Sequence, residues 1–392
     1  MPAGFDVQPR TRLIFGPGCV GRVGEVAREF GKRALVVTDP GIVTAGHATR
    51  VEHALQAAGI GVILYDRVRE NPTTRQVEEC LAVARAAGID LFVGLGGGSS
   101  MDTAKGCNFL LTNGGRMHDY WGVGKARLPM LPLLAIPTTA GTGSECQSAA
   151  LIADEVTHQK MACLDPKVAA RVAFLDPELT VSQPRRVTAC TGIDAIAHAV
   201  ETAVTRKRTP FSLLYSHEAF LLSVSSLERV LSHPLDLEAR GRMLLGAAFA
   251  GVAIEGSMLG AAHAAANPLT AHFNIVHGQA VGMILPHVVR FNAADPAAAL
   301  GYGELWARFE SVHGTLPGET HRPDNPTAAL ALGARLEHLL HVAGFPSSLK
   351  ACGVTAERIP VLAREAAQQW TAGFNPRKVG VEEFTRLYQA AL

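Results

Sequence analysis

Four side chains in the second half of the chain could together bind one metal ion. Asp194 and His198 stand four residues apart in a segment with helical spacing, so both lie on one helix face. His263 and His277 follow further along the chain. One carboxylate and three imidazoles form a ligand set that suits Fe(II) or Zn(II) and leaves room for a further oxygen ligand. The alternative for each residue is a structural role, as an ordinary helix pair or a hydrogen-bonded core histidine.

The sequence around these histidines favours the metal interpretation. His198 and His263 each stand among alanines, whose side chains cannot hydrogen-bond a buried imidazole. Other histidines lie in polar or loop-like segments and are predicted to be at the surface: His53, His233, His313, His321 and His338.

A glycine-rich turn in the first half predicts a phosphate-binding site. Residues 94–105 (GLGGGSSMDTAK) follow a predicted strand and open a predicted helix. Glycines allow the backbone to approach a ligand closely, and a helix N-terminus presents unpaired N–H groups to an anion. The candidate contacts are Gly97, Gly98, Ser99 and Asp102. A tight strand-to-helix turn without a ligand is the alternative.

Asp39 is the best candidate for binding the ribose of a dinucleotide. It ends an earlier strand, whereas the usual fingerprint places the acidic residue about 20 residues after the glycines. A carboxylate at a strand end can accept from both ribose hydroxyls and would repel a 2′-phosphate, which predicts NAD rather than NADP. The alternative is a turn-forming Asx residue before Pro40.

A second polar run, residues 137–145 (PTTAGTGSE), directly follows the strand that ends at Ile136. Hydroxyls and glycines at the carboxyl end of a strand suit the ligand crevice of an open α/β sheet. Thr138, Thr139 and Thr142 are therefore candidate cofactor contacts. A polar loop that caps the next helix is the alternative.

The elements that would position these residues change type near residue 185. In the first half, short apolar runs alternate with helical patterns, which predicts βαβ units and a parallel sheet. These predicted strands are 34–38, 61–65, 91–95 and 131–136, and the helices are 44–58 and 74–87. Only helical patterns follow: 189–204, 211–232, 237–265, 328–343 and 356–371. Residues 317–326 are predicted to form a loop.

This pattern predicts an α/β domain followed by an all-α domain. The first, residues 1–185, is expected to be a Rossmann-like nucleotide domain, and the second, residues 186–392, a helical metal-binding domain. The longest apolar stretch, residues 246–266, is interrupted by Glu255 and His263. We therefore expect a buried helix there rather than a membrane span.

Composition excludes several classes of protein. The chain has 392 residues, 48% apolar and 18% charged, and its formal net charge is +1. A general nucleic-acid binder needs a basic surface, and a disordered chain needs low hydrophobicity and high net charge. No secretory signal is visible. The seven cysteines form no CxxC pair, which fits unpaired thiols in a reducing cytoplasm.

Four segments resemble the iron-containing (group III) alcohol dehydrogenases: residues 96–105, 137–145, 192–201 and 277–287. The similarity runs from Phe15 to Arg377. It implies an enzyme that transfers a hydride between NAD(H) or NADP(H) and small alcohols, diols or aldehydes, commonly as a dimer or larger homo-oligomer. By motif match, Asp194, His198, His263 and His277 take the metal-ligand places. The positions matched to the dinucleotide are Asp39, Asn71, Gly98, Ser99, Thr138, Thr139, Lys160 and Leu179.

One residue departs from the family pattern. Asn267 stands where the family usually has a second histidine, often considered a proton carrier, and an amide cannot shuttle a proton at neutral pH. The proton would then leave through the cofactor ribose and water, or through another group such as His272, for which a helix-end or surface role is the alternative.

Three other functions fit parts of the pattern. One is a maleylacetate-like reductase of an acidic carbonyl compound on the same fold. Another is a lyase of the dehydroquinate-synthase type, which needs a cluster of Lys and Arg that residues 261–277 lack. The third is a catalytically inactive binding protein, against which four intact ligand positions argue.

Overall fold

The computed structural model describes residues 5–157, 159–314 and 326–392. The described chain divides into two compact units, residues 8–183 and residues 184–392, and residues 5–7 belong to the second unit. The first unit contains parallel strands and helices, and the second is helical throughout its described residues. The predicted fold class is therefore confirmed. The predicted loop 317–326 and His321 lie outside the described residues, except that Pro326 begins a helix.

A six-stranded parallel sheet forms the centre of the first unit. Its strand order is β1-β9-β6-β4-β2-β3, and every pair is parallel. Helices cover such sheets on both faces, which is why the strand sequences are apolar almost throughout. The six strands are β1 (Arg12–Phe15), β2 (Arg33–Val37), β3 (Gly61–Tyr65), β4 (Leu91–Gly96), β6 (Leu133–Pro137) and β9 (Val172–Leu175).

A small second sheet and five helices complete this unit. In the small sheet β8 pairs in parallel with β5 and antiparallel with β7. Its strands are β5 (Gly122–Val123), β7 (Ala149–Ala153) and β8 (Lys160–Leu164). The helices are α1 (Val23–Ala27), α2 (Pro40–Thr44), α3 (His47–Ala57), α4 (Thr74–Ala87) and α5 (Gly98–Asn113).

The strand order brings three of the predicted site segments to one edge of the sheet. β2, β4 and β6 are neighbours and run in the same direction, so their carboxyl ends lie side by side. Asp39, Gly97 and Thr138 follow these three ends. From β2 the chain continues outward to β3 and then returns to the other side of β2 at β4. A reversal of this kind is the place where open α/β sheets bind ligands.

Nine helices form the described part of the second unit. They begin and end as follows: α6 (Arg185–Thr202), α7 (Pro210–Ser232), α8 (Leu237–Ser257), α9 (Ala261–Phe273), α10 (His277–Asn292), α11 (Pro296–His313), α12 (Pro326–Ala343), α13 (Ile359–Gln368) and α14 (Val381–Ala391). The helical patterns predicted for residues 189–204, 211–232 and 328–343 correspond to α6, α7 and α12. The segment 356–371 is α13 flanked by short 3-10 turns.

The prediction of one helix over residues 237–265 is wrong. The chain turns sharply after Ser257, because Met258 combines a positive φ of 66° with an extended ψ of −177°. α9 begins only at Ala261, and the two helices are inclined by 108°. Apolar periodicity continues across this break, so the sequence pattern alone does not reveal it. Among the described residues, no single helix is long and apolar enough to cross a membrane; α8 and α9 would qualify only as this bent pair.

Asn274 ends α9 in the left-handed conformation, with φ of 52°, and its side chain is exposed. Glycine adopts this conformation without cost, asparagine at a small cost, and alanine at about 1 kcal/mol more. We expect Asn274→Ala to lower the free energy of unfolding by about 1 kcal/mol, whereas Asn274→Gly keeps or slightly raises it. Thermal unfolding of both variants measures the difference. Equal losses in the two variants would show that the asparagine side chain, not the backbone angle, stabilises this helix end.

Candidate metal centre and glycine-rich turn

Three imidazole nitrogens surround one carboxylate oxygen in the second unit. Asp194 Oδ1 lies 3.6 Å from His198 Nε2, 3.4 Å from His263 Nε2 and 3.9 Å from His277 Nε2. Asp194, His198 and His263 are buried, whereas the side chain of His277 is 31% exposed. The ligand atoms of Asp194, His263 and His277 all lie within 4.8 Å of one another. The structure therefore brings together the four residues that the sequence indicated as metal ligands.

Local packing explains how three helices deliver these side chains to one point. Asp194 and His198 lie one turn apart on α6, His263 is in the first turn of α9, and His277 begins α10. Gly278 lets α10 approach α6, because a Cβ at this position would lie only 2.0 Å from the carbonyl oxygen of Cys190. Any larger residue at 278 would push the start of α10, and His277 with it, away from Asp194.

The donor set fits a divalent cation. Two ligands each about 2.1 Å from one tetrahedral ion are about 3.4 Å apart, close to the separations observed around Asp194 Oδ1. Within the described part of the chain, Asp194 Oδ1 and His263 Nε2 are buried and have no hydrogen-bond partner. Buried polar atoms are rarely left without a partner, and a positive charge between these two atoms, either a proton on His263 Nε2 or a bound cation, satisfies both.

The pKa values at this cluster reflect strong interactions between its carboxylates and its imidazoles. Burial alone would raise the pKa of Asp194, but the neighbouring histidines outweigh it and hold that pKa well below its usual range. Burial likewise lowers the pKa of His263, yet the carboxylates of Glu201 and Asp194 outweigh it and raise this pKa to about 9. Acidic groups thus make this part of the helical unit strongly attractive to positive charge.

The glycine-rich turn lies in the first unit and leaves a helix N-terminus uncovered. Gly97 is the N-cap of α5, and among the described residues no side chain caps it. Gly96 has φ of 141°, a conformation that favours glycine. A Cβ on Gly98 would lie 2.9 Å from Thr142 Cγ2, and one on Gly97 would lie 3.4 Å from Thr139. The two polar segments predicted from the sequence are therefore in contact.

Asp39 lies beside this turn and also performs the structural role considered for it. Its Oδ1 accepts a hydrogen bond from the Ile42 backbone N–H at 3.1 Å, which caps α2. Its Oδ2 points towards Gly96, where an added Cβ would lie 3.4 Å away. One carboxylate oxygen thus holds the helix start while the other faces the glycine-rich turn.

The remaining predicted cofactor residues have different environments. Asn71 is exposed and has φ of 54°, and Lys160 is exposed at the start of β8. Thr138 is buried and accepts a hydrogen bond from Gln183 Nε2 at 3.2 Å. Ser99 lies in the first turn of α5 and is partly exposed. The side chain of Leu179 is completely buried in the hydrophobic core of the unit.

Sequence reasoning did not identify Lys105, which joins α5 to the loop after β6. Its completely buried ammonium donates hydrogen bonds to the carbonyl oxygens of Ser144, Gln147 and Ala149 at 2.6, 2.8 and 3.0 Å. Ser144 Oγ also lies 2.9 Å from the ammonium nitrogen, and that hydroxyl donates to Asp102 Oδ1 at 3.2 Å. The sequence offered little indication of this role, because the partners of Lys105 lie 39 to 44 residues away. The one local indication was its position three residues after Asp102, on the helix that follows the glycine-rich turn.

The two candidates for proton handling lie further along α9. Asn267 follows His263 by one turn, and its Nδ2 donates to Gln369 Oε1 at 2.9 Å. His272 lies nine residues beyond His263, which corresponds to about 13 Å along a helix axis. Its Nε2 contacts Glu365 Oε2 at 2.8 Å and its Nδ1 contacts an Arg358 nitrogen at 3.2 Å. The relay role of His272 stays a prediction that these surface contacts do not favour.

Comparison with known proteins assigns both units to one family. A family model described as iron-containing alcohol dehydrogenase matches residues 9–177, and one described as the C-terminal part of the Fe-containing alcohol dehydrogenase family matches residues 188–392. The chain is 33% identical over 389 residues to an NAD-dependent methanol dehydrogenase of Bacillus methanolicus, with 99% of each chain covered. It is 34% identical over 381 residues to lactaldehyde reductase of Escherichia coli (strain K12), covering 96% of this chain and 97% of the relative.

The structural comparison agrees with this assignment. A crystal structure of a 1,3-propanediol oxidoreductase matches with a TM-score of 0.93 at 31% sequence identity, and 100% of each chain is covered. The chain therefore belongs to the iron-containing alcohol dehydrogenase family and is an oxidoreductase of that type. The family predicted from the sequence motifs is confirmed.

Glu145 gives a prediction about the pH dependence of stability. This carboxyl group is buried, its Oε1 has no hydrogen-bond partner among the described residues, and burial raises its pKa to about 7, against the smaller opposing effect of Lys105. Because the folded state binds this proton more tightly than the unfolded state, stability falls as the pH rises from about 4.5 to about 7. Glu145→Gln removes that loss, so at pH 8 the variant should be more stable than the parent, by on the order of 3 kcal/mol.

Thermal unfolding at pH 5 and pH 8 tests this prediction, with Glu25→Gln, an exposed glutamate of the same unit, as the control. The gain from Glu145→Gln should be present at pH 8 and small at pH 5. A gain of the same size at both values would mean that the charge of Glu145 is not what destabilises the protein.

Proposed function

We propose that this protein is a metal- and NAD-dependent dehydrogenase that transfers a hydride between NAD(H) and a small alcohol, diol or aldehyde. The unit of residues 8–183 binds the dinucleotide, and the helical unit binds Fe(II), with Zn(II) as the alternative. The observation that carries this proposal is the convergence of three imidazole nitrogens on the buried Asp194 Oδ1. The family membership and the NAD-dependent relative support it.

The metal would be held by Asp194, His198, His263 and His277. A divalent cation in this position supplies a Lewis acid that polarises the oxygen of the alcohol or carbonyl group. The protein contributes a nearly water-free environment, since three of these side chains are buried. The partial exposure of the His277 side chain marks the side from which a small substrate can enter.

The dinucleotide would be held at the carboxyl ends of β2, β4 and β6. The uncapped N-terminus of α5 suits the diphosphate, since it offers N–H groups and the positive end of a helix dipole. Thr139 and Thr142 add hydroxyls next to Gly97 and Gly98. Asp39 Oδ2 is placed to accept from the adenosine ribose. The hydride chemistry itself belongs to the nicotinamide, so these residues bind and orient it.

Proton transfer does not use the residue at position 267. Asn267 carries no titratable group, and its Nδ2 already donates to Gln369. The ribose hydroxyls of a bound dinucleotide, together with water, would supply an acceptor for the alcohol proton in its place. The family resemblance supports the proposal of a homo-oligomer. The sequence supports the proposal of a cytoplasmic location, since its seven cysteines form no CxxC pair.

An assay of alcohols, diols and aldehydes of two to six carbons with NAD(H) tests the function. It should be run on metal-free, Fe(II)-loaded and Zn(II)-loaded protein, with acidic carbonyl compounds as a further set. Activity should depend on metal, and His277→Ala should reduce turnover by orders of magnitude while the Kd for NADH changes little. Metal-independent turnover, or activity confined to acidic carbonyl compounds, would contradict the proposal.

Asp39 should determine the choice of dinucleotide. Asp39→Asn keeps an oxygen to cap α2 at the Ile42 N–H but removes the negative charge that repels a 2′-phosphate. We expect the ratio of kcat/KM for NADH to that for NADPH to fall about tenfold or more, with an unchanged unfolding temperature. If the parent enzyme already prefers NADPH, or if Asp39→Asn leaves the ratio unchanged, Asp39 does not select the cofactor.

A further inference from the structure

Glu201 contacts the proposed metal centre from the side opposite to the ligand atoms. It lies on α6, seven residues after Asp194, and is buried. Its Oε2 is hydrogen-bonded to Nδ1 of His263, the ring nitrogen that does not face Asp194. Its Oε1 accepts from the Ala262 backbone N–H at 2.7 Å. Both carboxylate oxygens of Glu201 are thus committed to the first turn of α9.

These contacts determine which nitrogen of His263 carries the proton. A carboxylate can only accept hydrogen bonds, so Nδ1 of His263 must be the donor. Asp194 is also an acceptor, but its Oδ1 lies further from the ring, 3.4 Å from Nε2, so in the neutral ring the proton stays on Nδ1 and the lone pair lies on Nε2. A metal ligand needs that lone pair, and a partner of the other ring nitrogen fixes both the tautomer and the direction of the ring.

The backbone around Glu201 is arranged for this contact. Asn375 Oδ1 accepts from the Ala261 N–H at 3.2 Å, so two buried side chains share the caps at the start of α9. Gly260 leaves room for both, because a Cβ there would lie 3.0 Å from Asn375 Oδ1 and 3.1 Å from Glu201 Oε1. Asn375 is hydrogen-bonded to the start of α9, but none of its hydrogen bonds within the described residues involves His263.

We propose that Glu201 is a positioning residue of the metal centre, which holds His263 in the Nδ1–H tautomer and aims Nε2 at the ion. This inference rests on the proposed function, since it concerns a ligand of the metal proposed there. It goes beyond that function by assigning a role to a residue that would not itself bind the ion.

The substitution Glu201→Gln tests this proposal directly. It preserves the size of the side chain and its cap at the Ala262 N–H, but it reverses the direction of the hydrogen bond to His263. The Ala262 N–H needs an acceptor, so the amide oxygen of the new glutamine replaces Glu201 Oε1 there. The amide NH₂ of the glutamine then faces Nδ1 of His263. Nδ1 must then accept, and the proton of the neutral ring moves to Nε2, where it blocks the metal. Asn375→Ala is the matched control, since it removes a cap of the same helix without reversing the bond to His263.

The first readout is metal affinity, measured by competition between the protein and a chelator for Zn(II). We expect Glu201→Gln to weaken binding about 10- to 100-fold, and Glu201→Asp, which keeps an anionic acceptor, to weaken it less. Asn375→Ala should lower the unfolding temperature and leave the affinity within about threefold. Equal affinity of Glu201→Gln and the parent would overturn the proposal, as would an equal loss in Asn375→Ala.

The second readout does not need metal. Long-range ¹H–¹⁵N spectra of metal-free protein, recorded over a pH series up to the point where the ¹⁵N shifts show a neutral His263 ring, report the tautomer of that ring. The parent should show Nδ1–H and Glu201→Gln should show Nε2–H. The same tautomer in both proteins would overturn the role of Glu201. A parent that shows the Nδ1–H tautomer but binds no metal would contradict the proposed function and leave the tautomer assignment standing.

Discussion

The helical unit of this protein brings a buried carboxylate and three imidazoles so close together that they need a cation. Asp194 Oδ1 has three ring nitrogens within 3.9 Å, and the separations match those of ligands around a single ion. With neither a proton nor a metal ion between them, lone pairs of buried atoms would face one another at a cost of several kcal/mol. A bound divalent ion removes that cost, and the surrounding helices are packed in the way that holding the ion requires.

The structure keeps this cluster in place through small residues and long-range hydrogen bonds. Gly278 allows α10 to reach α6, and Gly260 leaves room for the two side chains that cap α9. In the first unit, the buried Lys105 plays a comparable part, since it fixes the loop after β6 to the helix that follows the glycine-rich turn. In both units a tightly held backbone positions the groups that contact the ligand, which is the preorganisation that catalysis by positioning demands.

The fold class and much of the two candidate sites could be predicted from the sequence, because they depend on residues that are close together along the chain. The four-residue spacing of Asp194 and His198 places both on one helix face, and the glycines at 96–98 follow an apolar strand. His263 and His277 could be added only by residue type and by resemblance to a family. Their convergence depends on the contact between Gly278 and the Cys190 carbonyl, which no local pattern shows.

Glu201 went unnoticed because its partner is 62 residues away. The break at Met258 was missed because the apolar periodicity continues across it.

Anomalous X-ray scattering from crystals of the metal-loaded protein tests the central claim most directly. Data collected on either side of the iron or zinc absorption edge should show one strong site per chain, bonded to Asp194, His198, His263 and His277 at about 2.0–2.2 Å. No site among these four residues, or a site whose ligands are other side chains, would contradict the account.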